Sequence, residues 1–301
     1  MALANKKLPY RPSFFQGVVA ISVVSFISFL VFWGYGVHQD LAIIEHLENK
    51  SRLNRQEAGI HVNGYDWFSR RVNLDIHTGT LNEPRPLHKD SLDLLRRIRL
   101  GGIVFSGDSI NRKDFSDFLE LDAKYVSFFF EKIEGNSALR VPRRSLKRVY
   151  VKISGLNEQD VISLAEKISA ENMDIRGTTK KYISSGTFSH FLKVNRSKNI
   201  GLEGFEIFSD NDNNPQFLPG KNSKHCYQSI MVADCSPLDE VVKVVKEIRT
   251  DELMFYSSTL DCEDFFTKLS LYQFDHAKSV IAKIPISETE SRVGVRSYSV
   301  K

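Results

Sequence analysis

Hydrophobic and polar positions divide the chain into one long apolar stretch near its start and a remainder in which short apolar runs alternate with helical periodicity. From Pro12 to Val37 there is no Asp, Glu, Lys, Arg or His. A helix rises about 1.5 Å per residue, so roughly 20 such residues cross a hydrocarbon core of about 30 Å. The pattern predicts a transmembrane helix over 14–37. Its apolar run is too long for a cleaved signal peptide, and Trp33 and Tyr35 stand where interfacial aromatics belong. Residues 38–58 continue with helical spacing through Leu41, Ile44, Leu47 and Leu53, with Glu45, Glu48, Lys50, Arg52 and Arg55 around them. This predicts a juxtamembrane stalk of about two heptads, a length that a coiled-coil dimer could use.

Beyond the stalk the periodicity switches repeatedly. Leu92, Leu95 and Ile98 have helical spacing and lead to a strand at Ile103-Val104-Phe105; a helix over 113–121 leads to a strand over 125–130. The run 148–153 alternates as a strand, and Asn157 caps a helix through Val161, Leu164, Ala165 and Ile168 before a strand at Met173-Asp174-Ile175. Strand 229–233, a helix opened by Ser236-Pro237, and strand 253–256 form a further unit, about 80 residues after its counterpart. A last strand over 279–284 precedes a polar tail. The expected fold class is α/β or α+β, built of β-α-β modules of which a ferredoxin-like domain is one form. A first module is expected over 59–139, and a second region with two β-α-β units over 140–301.

Charge sets the expected orientation. The tail over 1–13 carries Lys6, Lys7 and Arg11 and no acid, whereas Asp40, Glu45 and Glu48 follow the apolar run. The positive-inside bias places the N-terminus in the cytoplasm. The C-terminal domain is then periplasmic behind an inner membrane, or lumenal in a eukaryotic cell. Of the net charge of +4 over 301 residues, most sits in this tail, so the exported part is nearly neutral. Nucleic-acid binding loses its electrostatic support. Cys226, Cys235 and Cys262 form no CxxC. One bridge with a free thiol and three unpaired thiols both remain open, although a strand between Cys226 and Cys235 would hold that pair apart. Asn49-Lys50-Ser51 and Asn195-Arg196-Ser197 are glycosylation sequons, relevant only in a eukaryotic lumen.

Three segments offer chemistry. Ile103-Val104-Phe105-Ser106-Gly107-Asp108-Ser109 places a serine just beyond a strand. It resembles the first motif of the GDSL, or SGNH, hydrolases, which implies esterase activity with Ser109 as nucleophile and His276 as base. The family's late Asp-x-x-His is altered here, where Asp275 and His276 are adjacent, and its Gly-x-Asn-Asp block is missing. Asp210-Asn211-Asp212 after the strand-like Phe205-Glu206-Ile207-Phe208 resembles the metal-diphosphate Asp-x-Asp of glycosyltransferases, which implies manganese. Asp210, Asp212 and Asn214 also imitate the start of a calcium loop, with Pro215 where glycine is expected and Lys221 in place of the closing glutamate. Arg140, Arg143, Arg144, Lys147, Arg148 and Lys152 put six basic residues within thirteen, a surface suited to an anionic partner such as lipid headgroups. No complete catalytic constellation and no resident cofactor emerges. The expected function is a single-pass, membrane-anchored interaction or assembly module of a cell-envelope complex, non-catalytic, partnered by the bilayer and by an envelope protein or a second copy of itself.

Overall fold

The computed structural model describes residues 14–54, 56–80, 82–153, 155–208, 225–257 and 262–283. In chain order these form α1 (Phe14–Leu53), β1 (Gly59–Asp66), β2 (Arg71–His77), α2 (Lys89–Leu95), β3 (Leu100–Asn111), α3 (Arg112–Leu119), β4 (Ala123–Glu134), β5 (Arg144–Ile153), α4 (Glu158–Lys167), β6 (Ile168–Ser184), α5 (Ser185–Val194), β7 (Asn199–Phe208), β8 (Tyr227–Ala233), α6 (Leu238–Val245), β9 (Thr250–Tyr256), α7 (Cys262–Ser270) and β10 (Ala277–Lys283).

Predicted span and stalk are one continuous helix. Its first part is long and apolar enough to cross a membrane, and Ile21, Val24, Phe29, Val31 and Phe32 are all exposed on it. A core helix would bury such side chains. From Gly36 onward the character changes. Val37, Ile44 and Leu47 are buried against the domain, whereas Leu41 and Leu53 of the same expected stripe are 37% and 87% exposed. The seam expected to face a second helix is therefore occupied by β1 of the same chain. Polar contacts fix the packing: Arg70 pairs with Asp40 at 2.9 Å, Tyr65 donates to Asp40 at 3.2 Å, and the Val62 amide donates to Glu48 at 3.2 Å. Late α1 residues meet early β1 residues, so β1 runs back along α1.

All ten strands lie in one sheet in the order β1 to β10. β1 and β2 form an antiparallel hairpin, and from β2 onward every neighbouring pair is parallel. β-α-β crossovers share one hand, so a sheet that advances in one direction places its helices on one face. Burial agrees. A six-residue pattern, apolar-x-x-apolar-x-apolar, recurs as Leu100/Ile103/Phe105, Ala123/Val126/Phe128, Leu146/Val149/Val151, Ala170/Met173/Ile175 and Tyr227/Ile230/Val232, and every one of these side chains is buried. Ser197 and Thr250 fill the first position ahead of Ile200/Leu202 and Leu253/Phe255, and they too are buried. Paired positions Ile103, Val126, Val149, Met173, Ile200, Ile230, Leu253 and Val280 are 23 to 30 residues apart along the chain. Each unit covers its apolar edge with the next, which is solenoid architecture.

This pairing differs from the split β-α-β of a ferredoxin-like module, where another strand lies between the two parallel ones. β4 pairs directly with β5, so the boundary expected at 139/140 falls inside one continuous sheet. The crossover between these two strands contains no helix. Arg112 bridges that gap: its Nε donates to Gly135 O at 2.7 Å and its Nη1 to Asp160 Oδ1, which joins the first turn of α3 to that of α4. Asp160 also completes the cap that Asn157 begins, as the sequence predicts, accepting the Asn157 amide at 2.8 Å.

Candidate functional site: the uncovered sheet face

A sheet wound in one direction has no point at which strand order reverses, and that reversal opens the ligand crevice of doubly wound α/β folds. What it offers instead is the face that the helices leave bare. Alternation along each strand sends one set of side chains into the core and the other onto this face. Parallel register then aligns the second set in rows. One row runs Tyr125, Arg148, Asn172, Asn199; the next Ser127, Tyr150, Asp174, Gly201; the third Phe129, Lys152, Arg176, Glu203.

Where β4, β5, β6 and β7 meet, these rows form a connected cluster. Phe129 stacks on Tyr150 at 4.9 Å, and the Arg176 guanidinium lies 5.3 Å from the Tyr150 ring centre on its face. Arg176 Nε donates to Glu203 at 2.7 Å, and Arg148 lies 3.6 Å from Asp174. Burial raises the Asp174 pKa, opposed by Arg148 and Arg176. Asp174 fits because its neighbour is Gly201: a Cβ there would fall 2.3 Å from Asp174 Oδ1. Tyr125 and Phe129 remain 44% and 39% exposed. Exposed aromatics with ordered arginines are the composition of energetic centres in protein interfaces. The sequence singles out only Arg148 and Lys152 of these rows, as part of a basic run; register brings them together with the aromatic and acidic members.

Ser109 and His276 are not brought together. Ser109 lies within β3 opposite Lys132. His276 precedes β10, seven strands away in the sheet, or about 34 Å at the usual strand spacing. Ser106 does contact a histidine, at 3.2 Å from His77 Nδ1 on the open face. Among the described residues no carboxylate bonds the other ring nitrogen, so no relay is assembled. Asp210, Asp212 and Asn214 lie outside the described residues. Among the described residues, no three His, Cys, Asp or Glu side chains are grouped to hold a metal ion.

The basic run from Arg140 to Lys152 divides three ways. Arg140 and Arg143 are exposed ahead of β5. Arg144 donates to Leu119 O at 2.6 Å and to Leu121 O, closing the end of α3, while Lys147 lines a groove. Arg148 and Lys152 belong to the open face. The groove, about 410 Å³, lies where β4 to β7 begin, and its charged lining is Arg71, Lys124, Arg144, Lys147, Arg196 and Lys198 against Asp122 and Glu171. Cys226 and Cys235 are free thiols, and burial pushes Cys235 up to about 12. Asn195 is buried and donates to Ala165 O and Ile168 O at 3.1 Å each, so its sequon is not an accessible acceptor. Compared with protein-family models, curated proteins and solved structures, the chain matches none.

Proposed function

We propose that the chain is a single-pass, N-in membrane protein whose solenoid is an extracytoplasmic, non-catalytic interaction module of an envelope complex. The observation that carries this reading is the Tyr125–Phe129–Tyr150–Arg148–Arg176 cluster, an ordered aromatic and cationic patch on a sheet face that no element of the described chain covers. The anchor supports it. An uncharged run of spanning length follows a basic tail, and its helix enters the domain without a linker. A tethered module with a fixed binding face is suited to recruiting or positioning another protein.

The test is purification of tagged full-length protein from native membranes in mild detergent, with stoichiometric companions identified by mass spectrometry. A protein partner that is retained by the wild type and lost from Tyr150→Ala and Phe129→Ala, both correctly folded by circular dichroism, supports the reading. Loss of an interface centre costs about 2 kcal/mol, or roughly 30-fold in affinity. A partner bound equally by both variants removes this face as the binding site. A second copy of the chain as the sole companion would make the module a self-associating one.

A further inference from the structure

The turn joining β1 to β2 carries two aromatic side chains that the fold does not bury: Trp67 is 52% exposed and Phe68 96% exposed. The turn itself is tightly made. Asp66 accepts the amides of Phe68 and Ser69 at 3.1 and 3.3 Å and the Ser69 hydroxyl at 2.6 Å. The Ser69 hydroxyl and amide hold its carboxyl below the ordinary value. Trp67 meets Tyr65 edge-on at 5.1 Å. The turn thus holds two apolar rings outward in a fixed place.

Contacts with α1 set the height of this turn. Arg70 pairs with Asp40, and a Cβ on Gly36 would fall 2.0 Å from Arg70 Nη1, so the guanidinium rests directly on the helix backbone at Gly36. Gly36 follows Trp33 by three residues, about 4.5 Å of helix rise. That is the level at which the uncharged run would leave the hydrocarbon. β1 descends along α1, from Val62 beside Glu48 to Tyr65 beside Asp40. The turn over 67–70 projects beyond the last paired residues, Asp66 and Arg71, on the side of the span. The strands β4 to β7 begin at this same end, where the basic groove lies.

We propose that Trp67 and Phe68 enter the bilayer interface beside the exit of α1 as a second membrane attachment, with the basic end of the sheet turned toward the lipid headgroups. The inference rests on the reading of α1 as a spanning helix. Lipid is the occupant the surroundings specify: tryptophan favours the interface, and cations at that level favour phosphate. A single helix leaves the domain free to tilt, and a second contact fixes which way the open sheet face points.

Full-length Trp33→Phe protein, in which Trp67 is the sole tryptophan, is reconstituted into phosphatidylcholine vesicles with and without bromine on the acyl chains. The expected result is blue-shifted Trp67 emission, largely lost in brominated lipid and protected from aqueous iodide. Adding Phe68→Asp should reverse the shift without unfolding, since that side chain supports no packing. Red emission, quenched by iodide and indifferent to bromine, overturns the attachment. Alkaline carbonate extraction separates the two readings: release from the vesicles overturns both the span and the attachment, and retention with water-exposed Trp67 overturns the attachment alone.

Discussion

Substituting Arg112 tests whether the solenoid depends on a polar bridge where its helix layer is interrupted. Arg112 and Asp160 side chains are only 6% and 2% exposed, and they join two helices separated by a crossover that has no helix of its own. Arg112→Met leaves the Asp160 carboxylate in place, with one oxygen still accepting the Asn157 amide and the other stripped of its cation. Removing one partner of a buried pair costs about 3–5 kcal/mol, because the remaining charge is desolvated without compensation. That is a large part of a total stability of about 5–15 kcal/mol. Arg112→Met/Asp160→Asn removes both charges and keeps an oxygen for the cap, so it should recover about 2 kcal/mol relative to the single variant. Urea unfolding of the detergent-solubilised protein, followed by circular dichroism, measures both values. A loss below about 1 kcal/mol for Arg112→Met, or a double variant no more stable than the single, would refute the argument from burial.

Two further outcomes follow from neighbouring contacts. Arg144→Met leaves the carbonyls of Leu119 and Leu121 without their donor; hydrogen bonds to charged groups contribute about 1.5–3 kcal/mol. Amide exchange should accelerate at the end of α3 and stay unchanged in α6, and uniform acceleration would argue against a local cap. Asp174 has a native pKa raised by burial, so the native state binds its proton more tightly than the unfolded chain does. Stability from this group is fully present below the ordinary aspartate value and is lost as pH rises through the raised native pKa. Relative to Asp174→Asn, the wild type should therefore gain stability on acidification through that window, and parallel pH profiles would contradict the assignment.

What was legible in the sequence is what short-range chemistry decides. The uncharged run to Val37, the Asn157 cap and strands such as those at Val149 and Ile230 all follow from spacing and local hydrogen bonding. Sequential strand order did not, because each turn of the solenoid specifies only three buried positions. Ala123, Ser197 and Thr250 all satisfy the first of them, and spacings of 23 to 30 residues between paired positions obscure the period. Gly107, Asp108 and Ser109 read locally as a turn, yet Gly107 and Ser109 pair with Phe130 and Lys132, so β3 continues through them. β1 was missed because its burial pattern is irregular: Ile60 is buried, while much of the strand stays partly or wholly exposed. The candidate site was invisible for the same reason as the strand order, since Tyr150, Arg176 and Glu203 come from three strands and become neighbours only once register is known.

Both proposed surfaces are linked by the direction of the strands. β1 follows α1, and every later strand follows β1 in the sheet. With α1 across a bilayer the first strands stand along the membrane normal beside it, and the open face is presented sideways. On that face the rows of Tyr125, Tyr150 and Phe129 lie two, four and six residues from the start of β4, about 7 to 20 Å above its end nearest the lipid. A partner meeting the face laterally would bind within about 20 Å of the lipid. For a partner anchored in the same bilayer, tethering raises the effective concentration toward the millimolar range, so a patch of modest intrinsic affinity is enough to hold it. A soluble partner receives no such help. Under the proposed reading the cluster is placed for a membrane-bound partner, and the proposed contact of Trp67 and Phe68 with the bilayer interface would keep the face oriented for a lateral encounter.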